Sequence, residues 1–505
     1  MNNIMMRKII ILFFIIFATT ALAHSDHGSH LGNIYFQTSG SQAAQPFFIK
    51  GVKLLHSFEY SLAIDAFREA LKCDSHFAMA YWGMAMTYNH PLWNEQDYEE
   101  GAKILKVFAK NPQERIQKAK LPIEKGFINA INLLYGPGTK KARDIAYKDA
   151  MQKLYQQHPE HSEVALFYAL SLLGSTGGER DIENYMKAAG IAEIIYQKQQ
   201  DHPGVLHYLL HTYDDPVHAP LGLRAARAFA AVAPDASHAL HMPSHVFFAL
   251  GLWDDVIRSN QMAWDAGLKN NTQKDPKEFS VHDLHALQWL SYGYLQKHDY
   301  QKSYELTRVM QDIAIQSNLP MVKWYYAMMR SAYLTESKNW NAKLQSLDMS
   351  DVEISAKITN MYADALIALH DNCLEQAKKI YQKMLLLIPD QLKEDTFKEY
   401  FTSITSHGVK IAKIIAKELY AEINYPLSFN TLKEAIKEDK EMGEGYGPPV
   451  PVKPPTELLG DFYIMQKRCS AAIEQYKITL KRFPNRYLSM QGLPLCRAKT
   501  NRIIP

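Results

Sequence analysis

The sequence predicts an all-α fold, an α-solenoid built from helix-turn-helix repeats. Three observations carry that prediction. Apolar residues recur at helical spacing along most of the chain, in segments rich in alanine, leucine, lysine and glutamate, while alternating strand patterns are sparse. The chain resembles itself at a period of roughly 34 residues. Within that period a small residue, an aromatic residue and a closing proline keep fixed intervals.

The fullest copy lies near the C-terminus, with Leu459-Gly460, Tyr463, Ala472, Tyr476 and Pro484. A second has Ala377, Tyr381 and Pro389. Near the start, Ala63, Phe67 and Ala70 precede a helix carrying Trp82-Gly83. A looser fourth centres on Gly251, which closes one helix before Trp253-Asp254-Asp255 opens the next; Val256 and Asn260 replace the usual small and aromatic residues. These intervals match the tetratricopeptide pattern. Its basis is packing. Small residues let two helices approach, aromatics fill the gap to the next repeat, and proline ends the second helix without breaking its interior.

The segments follow in order. Residues 1–23 read as a signal peptide: Arg7 and Lys8, an apolar run from Ile9 to Ile16, then Ala21-Leu22-Ala23 at the cleavage site. The run is short for a transmembrane helix; an uncleaved anchor is the alternative. Cleavage would remove two positive charges and no acids, taking the formal net charge from +3 to +1. That balance is too weakly basic to point to a nucleic-acid partner, and no later segment is apolar enough to span a membrane. Residues 24–45 read as a flexible, histidine-containing segment, and 46–440 as the repeat array. The array carries an insertion at 109–145, with a Gly136-Pro137-Gly138 turn, and a polar loop at 268–280. Residues 441–456 form a Gly/Pro-rich linker of extended backbone, and 457–505 the final repeat. Length alone suggests several domains, but a solenoid is one continuous body. Cys73, Cys373, Cys469 and Cys496 are scattered without a CxxC pair; Cys469 with Cys496 is the local pair that an oxidising compartment would bridge.

Of the chain's 20 histidines, seven fall between residues 202 and 245: His202, His207, His211, His218, His238, His241 and His245. His207 and His211 are four apart, and His238, His241 and His245 are three and four apart. His282 and His285 follow three apart. Such spacings put imidazoles on one helix face. The three sets belong to the first helices of successive repeats, which line the concave side, so they are expected to converge. Asp214, Asp215 and His218 are candidate ligands or acceptors that orient the rings. The set suits a divalent transition metal such as zinc or copper. Met242-Pro243 qualifies the pattern, because a helix starting at Pro243 would leave His238 and His241 ahead of it. Single histidines in helical repeats more often pack or form polar networks. His24, His27 and His30 offer a second chelating set at a cleaved terminus, or a plain polar tail. His90, with Trp93, faces the same groove or packs at a helix end.

Five strings carry a family resemblance: LLHSFEYSLAIDAFREAL (54–71), AMAYWGMAMTYNHPLW (78–93), HYLLHTYDDP (207–216), HALHMPSHVFFALGLWDD (238–255) and GPPVPVKPPTELLG (447–460). The chain resembles a family of exported bacterial tetratricopeptide-repeat (TPR) domain-containing proteins of unassigned function. The resemblance implies a helical repeat fold and export to the periplasm or beyond, and implies no reaction. Three functions compete: a scaffold taking a peptide or protein in its concave groove, a metal-binding protein, and a metalloenzyme with Asp214 or Asp215 as base. The sequence holds no HExxH, GxSxG, GxxxxGK or dinucleotide glycine motif, so it supplies no catalytic set.

Overall fold

The computed structural model describes residues 30–500 apart from 179, 235, 272–274, 390–404 and 444–446. The signal-peptide segment 1–23, with His24 and His27, lies outside the described residues. Helix follows helix along the chain, and each packs mainly on its neighbours in sequence. A short antiparallel pair, Asn89–His90 against Glu95–Gln96, flanks the turn Pro91–Trp93. The result is an all-α solenoid with TPR-like helix pairs. No described helix is long and apolar enough to cross a membrane.

Outer and inner helices differ in a way the sequence dictates. The outer helix Tyr60–Cys73 buries only Ala63, Ala66, Phe67 and Ala70, a single stripe at helical spacing. Inner helices are mostly apolar and are buried on nearly every face. Ser162–Gly174 buries every residue but Ser162, and Pro203–Thr212 every residue but His211. The repeat residues explain the pairing. A Cβ on Gly83 would lie 2.4 Å from the Phe67 ring, and one on Gly460 2.7 Å from Tyr476. Glycine is therefore needed at both places for the helices to meet over the aromatic ring.

The array curls back on itself. Helix Gln45–His56 meets Pro203–Thr212 across the inner side. At the other end, Trp253 Nε1 donates to the Asn485 carbonyl at 2.9 Å, and Asn485 Nδ2 to the Gly251 carbonyl at 3.2 Å. Gly251 has φ of +66°, and a Cβ there would meet the Pro484 carbonyl, so the residue that closes one repeat also admits the last. Arg486 is buried beside Glu336, Glu457 and the Tyr292 hydroxyl.

Two expectations change. Residues 30–44 are anchored, not flexible, because Leu31 and Phe36 are apolar and buried, Phe36 against Phe48, Trp82 and Phe127. Asn33 N also donates to the Asp201 carbonyl at 3.1 Å. Cys469 is a free thiol, so it forms no bridge, and Cys73 and Cys373 are free as well. The described part of the Gly/Pro segment, from Gly447 to Pro455, is mostly buried against the inner helices. A Cβ on Gly447 would lie 2.2 Å from Trp289, so this strap presses on the indole.

Candidate metal centres

Four helices position the histidines. Helix Pro203–Thr212 carries His207 and His211 one turn apart. Helix Ser237–His241 ends at Met242, and Pro243 starts the next helix, Pro243–Ala249, where its missing N–H costs nothing. Helix Val281–Gln296, capped by Ser280 and Asp283, carries His282 and His285. The rings converge at two points. His207, His211 and His238 form one group, and His241, His245 and His285 the other; in each, the ligating atoms lie within 4.8 Å of one another.

In the first group, His211 Nε2 and His238 Nε2 lie 3.0 and 3.1 Å from His207 Nε2. His207 Nδ1 is 2.6 Å from the His56 carbonyl, which can only accept, so this nitrogen carries the proton. His207 Nε2 therefore presents a lone pair to both neighbours. Tetrahedral zinc with nitrogens at 2.0–2.1 Å sets them about 3.3 Å apart, so small shifts would seat an ion. Phe58 lies edge-on to His207 and stacked over His211 and His238. Its φ of +58° is a strained setting for phenylalanine that aims the ring at the centre.

The second group is more telling. Asn260 Nδ2 donates to the Val256 carbonyl at 2.8 Å, which fixes its amide and leaves Oδ1 to accept from His241 Nδ1 at 2.6 Å. Asp214 Oδ2 accepts from His245 Nδ1 at 2.5 Å. Both Nδ1 atoms are donors, so with both rings neutral the two Nε2 atoms, 3.0 Å apart, face each other with lone pairs. That contact is repulsive unless a cation sits between them. A proton is disfavoured on His241, because burial holds its pKa well below the usual value. Trp289 stacks on His245 at 4.4 Å between centroids and walls the centre.

Burial, reinforced by neighbouring histidines, disfavours charge on four more of the rings. His207 is pushed down to about 3, and His211, His238 and His285 fall well below the ordinary range. Neutral imidazole is the form that ligates a metal. Glu59, whose carboxylate accepts from the His238 backbone N–H, is raised by burial to about 7.

The remaining candidates fall outside both groups. Asp214 orients His245 and belongs to no ligand group. Asp215 is taken by Arg180, by the backbone N–H groups of Val217 and His218, and by His218 Nδ1, so neither Asp215 nor His218 reaches a centre. His282 lies 4.5 Å from His238 between ring centroids, as a neighbour only, lowered by burial to about 4. His90 stacks on Tyr60.

A third group, His56, Glu163 and His202, escaped the sequence reading because its members are distant and only His202 falls in the cluster. Here protons satisfy every atom. His56 Nε2 and His202 Nε2 donate to the two Glu163 oxygens at 2.7 and 3.0 Å. His56 Nδ1 accepts from Tyr208 at 2.8 Å, and His202 Nδ1 from the Gly204 N–H at 3.1 Å. One set of tautomers fits, and the group reads as a buried polar network that fixes the His56 carbonyl under His207.

No family model matches the chain, and no curated protein does. Solved structures that match at low identity include the P58(IPK) TPR domain, at 12% identity over 91% of this chain and 98% of that one, TM-score 0.21. Yeast Tom70 matches at 12% over 91% and 96%, TM-score 0.30. The human IFIT1 dimer with m7Gppp-AAAA matches at 12% over 92% and 96%, TM-score 0.37.

Proposed function

We propose that this protein is a helical-repeat scaffold that binds transition-metal ions in two tri-histidine centres on its inner wall. The opposed Nε2 lone pairs of His241 and His245 carry this reading, each fixed by an acceptor on the far nitrogen. Zinc and copper both suit three neutral imidazoles. The test is elemental mass spectrometry on protein purified without a chelating column and then offered zinc or copper. Two ions per chain are expected, falling to one in His207→Ala/His211→Ala and in His241→Ala/His245→Ala. Protein that takes up fewer than two ions refutes the reading.

The charged and apolar N-terminus ending in Ala21-Leu22-Ala23 supports export to the periplasm or beyond, which N-terminal sequencing of the cell-envelope protein would test. A protein-binding role is a second reading, favoured by the helical-repeat array, whose stacking builds an extended concave surface. It predicts partner binding that survives chelators.

A further inference from the structure

The two centres are neighbours, and their chemistry lacks negative charge. His238 and His241 lie on the same short helix with ring centroids 6.4 Å apart, one serving each centre. His211 and His245, again one from each, are also 6.4 Å apart. An ion bound through Nε2 sits about 3.2 Å from the ring centroid. The two ions are therefore no more than about 13 Å apart, with protein between them in place of screening salt.

All six ligands are imidazole rings, which bring no negative charge. Two divalent ions would bring four positive charges. Asp214 is the carboxylate that reaches a ligand ring, through His245, while Asp215 is engaged by Arg180. Buried charge without a partner is costly, and a tri-histidine set leaves one tetrahedral corner for an outside ligand. His211, His245 and His285 are only part-buried, so solvent ions have a path to that corner.

Resting on the metal-binding reading, we propose that the paired centres form one anion-binding dinuclear unit. Two ions bind close enough to couple, and small anions from solvent complete their coordination and offset their charge. The ligand class is the compact metal-binding anion, such as hydroxide, a halide or azide.

The test is copper(II) loading followed by electron paramagnetic resonance and azide titration. First, copper per chain is counted. With two coppers bound, the expected spectrum is broadened by dipolar coupling, and azide produces a charge-transfer absorption that saturates. The double variants His207→Ala/His211→Ala and His241→Ala/His245→Ala should each bind one copper and give a narrow, unbroadened spectrum; circular dichroism checks that they stay helical. Two coppers with a narrow, full-intensity spectrum, or with no azide band, overturn this inference and leave the metal-binding reading standing. Fewer than two coppers in the unaltered protein defeats the metal-binding reading itself, and the inference with it.

Discussion

Replacing Asp214 by asparagine keeps the shape of the second centre and removes one charge. Asp214 is nearly buried, and its carboxylate accepts from His245 Nδ1 at 2.5 Å. That contact fixes the ring tautomer and makes Nε2 a better donor to a metal. A charge-assisted hydrogen bond is about twice as strong as a neutral one, so asparagine retains part of the contact. Loss of such an orienting partner typically weakens metal binding about 10- to 100-fold, or about 1.4–2.7 kcal/mol. The effect should fall on one centre only, because His207 is oriented by the His56 carbonyl and makes no contact with Asp214. A two-site zinc titration against a chelating indicator would resolve it. One site should weaken by that factor while the other holds. Equal weakening of both sites, or no change in either, refutes the assignment of Asp214.

Further predictions follow from the same contacts. Chelator-treated protein should lose stability as pH falls below about 6.5. There the unfolded chain takes up protons that folded His207 and His282, lowered to about 3 and about 4, refuse; a melting temperature flat from about pH 7 to 4 would contradict this. Glu163→Gln replaces one of the two acceptor oxygens by an amide N–H that faces a histidine N–H, and should cost about 1–3 kcal/mol in urea unfolding, with two ions still bound. A lost ion in that variant would make the third group a metal site after all. Gly83→Ala places a methyl 2.4 Å from the Phe67 ring; the overpacking should cost about 1–3 kcal/mol in the same assay.

Much of this was legible in the chain. Ala63, Phe67 and Ala70 announce a one-sided outer helix, and Trp82-Gly83 its partner, because packing of small against aromatic residues is local and periodic. The histidine spacings on 207–211, 238–245 and 282–285 likewise name the helices that hold the centres. What the spacing could not show is the division into two centres. It runs through one short helix, whose His238 turns toward His207 and whose His241, three residues on, turns toward His285. Nor could it separate Asp214 from Asp215, since adjacent residues on a turn point to different partners: one to His245, the other to Arg180 and His218. Phe58 enters the site from a distant repeat, and only the curl of the solenoid brings it there, whereas Trp289 lies one turn on from His285 and Asn260 on the helix that follows Pro243–Ala249. The anchoring of residues 30–44 depends on Leu31 and Phe36, isolated buried residues in a stretch that carries no periodic signal.

The most direct test of the central claim is an anomalous difference map from crystals of zinc-loaded protein, with data on both sides of the zinc edge. Two peaks are predicted, one about 2.0–2.1 Å from the Nε2 atoms of His207, His211 and His238, the other bonded to His241, His245 and His285. Peaks at neither position, or a peak at His56, Glu163 and His202 instead, would contradict the account.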